Sequence, residues 1–92
     1  MKITVKYHAQ ARQASGTSSE QVDLHPPVTI GRLLTLLSDR HGEPLRRLLL
    51  SADGAVCPAL LLFVADRQVR ADSTELLKEG DTLEILPPIA GG

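Results

Sequence analysis

The sequence predicts an α+β fold in which one long helix lies across a mixed sheet of four to five strands. Residues 1–8 alternate between apolar and polar side chains, which is the period of a half-buried strand. Across residues 30–37, apolar side chains recur at i, i+3, i+4 and i+7, as on the buried face of a helix. Residues 82–86 alternate again. Strands at both ends of the chain with a helix between them favour a sheet covered by that helix.

The first two strands are predicted to form an antiparallel hairpin. Residues 19–24 alternate between apolar and polar side chains, as the first strand does. The polar segment between these two strands contains Gly16 and is predicted to be a long loop with a helical turn around 9–13. His25, Pro26 and Pro27 end the second strand.

The long helix has recognisable ends. Thr29 is the predicted N-cap, and Val28 and Leu33 stand at the positions of a hydrophobic staple. Gly42 suits the position after the helix C-terminus, and Pro44 suits the first turn of a second, shorter helix.

The second half of the chain supplies the remaining strands. Residues 59–65 form an unbroken apolar run, which is typical of a strand with neighbours on both sides. Asp66-Arg67 follows, and because this pair lacks glycine we expect a longer turn here instead of a tight type I′ hairpin. Gly80 is expected to take positive φ before the last strand. We therefore expect one domain over residues 1–86 and an extended tail over 87–92.

Composition narrows the class of protein. The 92 residues carry a formal net charge of −1, so no basic field favours nucleic acid. The single cysteine, Cys57, excludes an internal disulfide and fits a reducing compartment. No apolar run is long enough to span a membrane and no signal peptide is evident, so a cytoplasmic location is expected.

The tail is the most distinctive stretch. Pro87 and Pro88 each fix φ, so they stiffen the exit from the last strand. Gly91 and Gly92 carry no Cβ, so they fit a slot too narrow for side chains. A stiff segment with a slim tip suits delivery of a terminal carboxylate into the active site of another protein.

Three segments together resemble the ubiquitin-like sulfur-carrier family, and the resemblance covers nearly the whole chain. They are Tyr7-His8-Ala9-Gln10-Ala11-Arg12, Leu77-Lys78-Glu79-Gly80-Asp81 and Glu84-Ile85-Leu86-Pro87-Pro88-Ile89-Ala90-Gly91-Gly92. The double proline is most similar to the small subunit of molybdopterin synthase, a member of that family. The resemblance implies a β-grasp fold and a carrier that is not itself an enzyme.

The resemblance also implies a chemistry and its partners. An ATP-dependent activating enzyme would adenylate the Gly92 carboxylate, and sulfur would then convert it to a thiocarboxylate, with Gly91 providing clearance. The sulfur acceptor would be the large subunit of molybdopterin synthase, and no cofactor would be bound by the carrier. The alternatives are a carrier for cysteine or for a sulfur-containing natural product, a protein modifier joined to lysine through Gly92, and an interaction module with an inert tail.

Strand alternation predicts a docking surface beside the tail. If Leu83 and Ile85 face the helix, then Leu86 faces outward, and the same reasoning turns Leu61 and Phe63 outward. An exposed apolar cluster on a small domain is usually an interface. The predicted partner-binding residues are therefore His8, Leu61, Phe63, Leu86, Pro87, Pro88, Ile89 and Ala90.

The other chemically active side chains carry weaker signals. Cys57 has no histidine or cysteine near it in sequence, so we interpret it as a small apolar residue. His8, His25 and His41 are scattered, which argues against a metal site. Arg12 is expected in a solvated loop. A solvated acidic face is expected from Asp23, Glu75, Glu79, Asp81 and Glu84.

Overall fold

The computed structural model describes residues 1–88, which form one mixed sheet packed against helices. The strands are β1 (Lys2–Tyr7), β2 (Ser19–Asp23), β3 (Leu61–Val64), β4 (Arg67–Val69) and β5 (Thr82–Leu86). The helices are α1 (Gln10–Ser15), α2 (Ile30–His41) and α3 (Glu43–Leu49). The α+β class and the β-grasp arrangement are confirmed, with one helix longer than the other two.

The last strand lies at the centre of the sheet, whose order is β2-β1-β5-β3-β4. β5 runs parallel to β1 and antiparallel to β3, while β1 and β2 form the predicted antiparallel hairpin. A parallel pair needs a crossover connection, and the chain between β1 and β5 passes over one face of the sheet as α2 and α3. The centre of the sheet therefore pairs the first and last strands of the chain.

The core lies between α2 and the inner face of the sheet. The apolar face predicted for residues 30–37 is fully buried, since Ile30, Leu33, Leu34 and Leu37 are each at most 1% exposed. The inner face supplies Ile3, Val5, Tyr7, Leu62, Val64, Leu83 and Ile85. Thr29 is confirmed as the N-cap of α2, because its hydroxyl accepts a hydrogen bond of 3.2 Å from the Arg32 amide.

The turn between β3 and β4 differs from the prediction. It is a tight two-residue loop of Ala65 and Asp66, with φ values of 50° and 66°. Both residues thus occupy the left-handed region that type I′ hairpins require, without asparagine or glycine. The expectation of a longer turn at Asp66-Arg67 was wrong, because the pairing of β3 and β4 fixes the turn. Gly80 does take positive φ, at 83°.

Ala9 has the most unusual backbone among the described residues. Its φ of 52° and ψ of −128° fall where glycine is strongly favoured. The residue lies in a turn closed by a 3.1 Å hydrogen bond from the Ala11 amide to the His8 carbonyl. This turn ends β1 and starts α1, so it sets where His8 stands relative to the sheet.

Within residues 1–88, no helix is long and apolar enough to cross a membrane.

Candidate functional site

The tail leaves the sheet from its central strand. Pro87 directly follows β5 and is buried, so packing continues one residue beyond the last strand. Pro88 is exposed. Gly91 and Gly92, which carry the predicted chemistry, lie outside the described residues, as do Ile89 and Ala90, which are predicted to bind a partner. Their roles, and those of the two prolines in partner binding, stay predictions.

The four predicted docking side chains are brought together on the outer face of the sheet. The register sets Leu61 opposite Leu86, and the His8 amide donates to the Ile85 carbonyl at 3.1 Å. Leu61 is 43% exposed, and Phe63, Leu86 and His8 are partly exposed. We call His8, Leu61, Phe63 and Leu86 the outer-face patch. It surrounds the end of the strand from which the tail departs.

The inner and outer assignments for β3 follow the predicted alternation. Leu62 and Val64 are fully buried, and Leu60 is 5% exposed. Leu61 and Phe63 therefore point away from α2, as expected. The use of the outer-face patch by a partner stays a prediction.

A groove of about 770 Å³ adjoins the outer-face patch at Leu61, and the sequence did not point to it. It lies between the loop that follows α3 and the edge strand β4. Its walls include Val56, Pro58, Ala59, Gln68 and Val69. Its lining also includes Asp53, Arg70 and Asp72, so this groove of mixed polarity extends from Leu61 toward the edge of the sheet.

Glu84 was missed as a member of this site. Its side chain is 28% exposed, and its Oε1 lies 3.0 Å from His8 Nε2. Alternation along β5 places Glu84 on the same face as Leu86, so the signal was present in the sequence. The carboxylate therefore lies among the residues of the outer-face patch.

Three of the other carboxylates expected on an acidic face each have a local partner. Glu75 forms an ion pair with Arg67 at 2.6 Å, and Glu79 accepts hydrogen bonds from the Lys2 amide. Asp81 accepts from the Lys78 amide at 2.8 Å. These carboxylates have separate local partners on different loops and strands, and their sharing of one solvated face stays a prediction.

A partly buried polar cluster joins β1, β2 and the C-terminal end of α2. The Tyr7 hydroxyl donates to Glu20 at 2.5 Å, and Arg40 donates to the same carboxylate at 2.9 Å. His41 Nε2 lies at 2.5 Å from Glu20, and its ring meets the Tyr7 ring edge-on at 5.8 Å. This cluster lies on the helix side of the sheet, away from the outer-face patch.

Burial and hydrogen bonding shift the titration of this cluster. Burial, reinforced by the hydrogen bond to Glu20, raises the pKa of the Tyr7 hydroxyl far above its ordinary value. Burial alone would raise the pKa of Glu20, but the bonds from Tyr7, His41 and Arg40 outweigh it, so that pKa is lowered. The cluster holds a charged carboxylate in place and thereby ties β2 to α2.

The remaining candidates are not gathered into a site. Arg12 is exposed on α1, and Cys57 is a free, partly buried thiol. Among residues 1–88, no three His, Cys, Asp or Glu side chains are placed to hold a metal ion.

The fold and the outer-face patch define a class: a ubiquitin-like β-grasp protein that presents a C-terminal segment from the centre of its sheet. The structure resembles SAMP1 of Haloferax volcanii with a TM-score of 0.87 at 23% identity, covering all of both chains. It also resembles a chain in the crystal structure of the Amycolatopsis orientalis BexX/CysO complex. That match has a TM-score of 0.68 at 28% identity and covers 98% of this chain and 99% of the other.

Sequence comparison names the family. The model of the ThiS family matches residues 5–92, and the chain belongs to that family. It is 32% identical to the molybdopterin synthase sulfur carrier subunit of Drosophila erecta, over all of this chain and 92% of that one. Members of this family are small carriers without catalytic activity of their own, so this chain is a sulfur-carrier-type protein and not an enzyme.

Proposed function

We propose that the chain carries sulfur as a thiocarboxylate on Gly92 and donates it as the small subunit of molybdopterin synthase. The observation that carries this proposal is the outer-face patch at the point where the tail leaves β5. A partner that covers the patch meets the tail at its first residues. The 32% identity to a molybdopterin synthase sulfur carrier subunit over the full chain supports this acceptor over others.

The chemistry is assigned to the carboxyl carbon of Gly92. The carboxylate oxygen attacks the α-phosphorus of ATP bound by the activating enzyme, and pyrophosphate leaves. A sulfide nucleophile then attacks the carbonyl carbon, and AMP departs with the electrons of the broken C–O bond. Adenylation replaces oxide, a poor leaving group, by AMP, a good one, and sulfide then displaces the AMP. One difficult substitution is thereby divided into two easier steps, which is the advantage of covalent activation. The carrier provides the acyl group and the docking surface, and the enzyme provides the catalytic groups.

Intact mass measurement tests the loading step. The carrier is incubated with its adenylating enzyme, ATP and a sulfur source, and its mass should rise by the difference between a sulfur and an oxygen atom. Omitting ATP should abolish the change. Gly92→Ala should slow the reaction while leaving thermal stability unchanged, because an added methyl group obstructs the slot for the tail. An unmodified parent protein would overturn the proposal, and conjugates to lysine would favour a protein modifier.

The acceptor is tested separately. The loaded carrier is mixed with the large subunit of molybdopterin synthase and its pterin precursor, and loss of the thiocarboxylate is followed by mass. Transfer to the pterin is the expected result. The similarity to a chain of the BexX/CysO complex favours one second candidate, a carrier for cysteine or for a natural product. Transfer only to an acceptor of that kind would replace the first assignment.

A further inference from the structure

Glu84 stands in the middle of the outer-face patch. The strand register places it opposite Lys6 on β1 and opposite Phe63 on β3, and Leu86 follows on the same face of β5. The Glu84 side chain is only 28% exposed to solvent. A surface that served only for apolar contact would not be expected to hold a carboxylate among its leucine and phenylalanine side chains.

Only one oxygen of this carboxylate has a partner within the described chain. Oε1 lies 3.0 Å from His8 Nε2, and within residues 1–88 no other hydrogen bond reaches the Glu84 side chain. Lys6 is opposite in register, yet no ion pair joins it to Glu84 in that part of the chain. Since a carboxylate has about four acceptor positions, Oε2 is free to accept from a group outside the chain.

Covering the outer-face patch has a consequence for this charge. A partner that buries Leu61, Phe63 and Leu86 also removes water from Glu84. An ionised carboxylate that loses water without gaining a donor is strongly disfavoured. Docking is therefore most favourable for a partner that brings a hydrogen-bond donor to Oε2, and a positively charged one compensates the charge best.

The surroundings of Glu84 favour a guanidinium over an ammonium group. Phe63 lies directly opposite on β3 and is only partly buried, so its side chain adjoins the carboxylate and is partly open to a docking partner. Guanidinium groups donate to carboxylates and stack on aromatic rings at the same time, whereas a compact ammonium does not stack.

We infer that Glu84 determines which partner docks. Resting on the proposed function, the inference is that the activating enzyme presents an arginine whose guanidinium donates to Glu84 Oε2 and lies against the Phe63 ring. His8 is a positioning residue that holds Oε1 and so directs Oε2 outward. A protein whose matching surface is wholly apolar is rejected at this point.

The test is the kinetics of ATP-dependent thiocarboxylate formation with the full chain as substrate. Glu84→Gln should raise the KM for the carrier by at least about tenfold with kcat unchanged, because it removes one member of a charge pair that docking desolvates. The KM of the variant should also depend less on ionic strength than that of the parent. Glu43→Gln is the matched control. It removes the same charge from an exposed residue on α3, and its KM should equal the parental value.

Variants of His8 separate positioning from folding. His8→Phe should raise the KM because Oε1 loses its donor, whereas His8→Gln should restore a value close to the parental one. A Glu84→Arg carrier paired with an activating enzyme in which one surface arginine is changed to glutamate should regain loading.

The outcomes are distinct. A parent that forms no thiocarboxylate contradicts the proposed function itself. A parent that is loaded, with an unchanged or lower KM for Glu84→Gln, overturns the role of Glu84, since the carboxylate would then only oppose docking. If no arginine-to-glutamate variant of the activating enzyme restores loading of the Glu84→Arg carrier, the proposed arginine contact is wrong.

Discussion

Leu61 and Leu62 are adjacent leucines on opposite faces of β3, and truncating each to alanine separates docking from folding. Leu62 is fully buried between the sheet and α2, whereas Leu61 is 43% exposed on the outer-face patch. The two substitutions remove the same atoms from neighbouring positions. Any difference between them therefore reports the environment and not the chemistry of the change.

The magnitudes follow from burial. Leu→Ala in a packed core costs roughly 2–5 kcal/mol, and full burial at Leu62 places this variant near about 3 kcal/mol. For Leu61→Ala the loss is under about 1 kcal/mol, because the side chain keeps much of its exposure in the folded state. At about 4–8 °C per kcal/mol for a domain of this size, Leu62→Ala should lower Tm by roughly 15 °C and Leu61→Ala by less than about 6 °C.

Two measurements on each variant test this reasoning. Thermal and urea unfolding give stability, and the KM for thiocarboxylate formation, measured well below both melting temperatures, gives docking. Leu61→Ala should raise the KM, and Leu62→Ala should leave it close to the parental value. Equal losses of stability would place the Leu61 side chain in the core and refute the face assignment. A parental KM for Leu61→Ala would refute the use of the outer-face patch.

Three further predictions concern stability. Ala9→Gly should stabilise the protein by about 1 kcal/mol in urea unfolding. The reason is that relief of a backbone strain of roughly 1–3 kcal/mol exceeds the free-energy cost of the extra entropy that glycine has in the unfolded chain. A loss of stability would contradict the geometry of this turn. The double change Ala65→Asn and Asp66→Gly should raise Tm by several degrees, since it supplies the preferred type I′ pair, and an unchanged Tm would show that the turn is already relaxed. Glu20→Gln should cost about 2 kcal/mol at pH 7, because charge-assisted bonds are replaced by weaker ones. Folding lowers the pKa of Glu20 below its ordinary value. The stability that the Glu20 carboxylate contributes is therefore complete above that ordinary value and is lost as the pH falls through the folded pKa. The difference in free energy of unfolding between variant and parent should narrow in acid, and a constant difference would refute the assignment.

The elements that the sequence predicted well are those with strong local signals. Helix α2 combines a complete apolar face with Thr29 as its cap, so its position and buried side are determined within one segment. β5 alternates cleanly over Thr82–Leu86, and the structure has the strand at those bounds. For β3, the unbroken apolar run does not itself distinguish the two faces. The outward placement of Leu61 depended on Leu60, Leu62 and Val64 facing the helix, and the burial of those three confirms it.

Long-range pairing accounts for what was missed. His8 and Glu84 are 76 residues apart, and nothing local indicates that β1 and β5 run side by side in parallel. The Glu20 cluster likewise needs β2 to lie beside the end of α2. The turn at Ala65 was missed for the opposite reason: local propensity argued against it, and the register of three strands overrode that preference.

The central position of β5 links docking to delivery of the tail. The outer-face patch is formed by β3, β5 and the residue that follows β1, and β5 is hydrogen-bonded to both β1 and β3. The start of the tail therefore has a fixed place relative to the surface that a partner holds. Once the patch is docked, entry of the tail into the partner becomes an intramolecular step, with an effective concentration on the order of millimolar for a short connection. Substitutions in the outer-face patch should consequently raise the KM, whereas Gly92→Ala should lower kcat. A patch variant that lowered only kcat would contradict this separation of docking from tail entry.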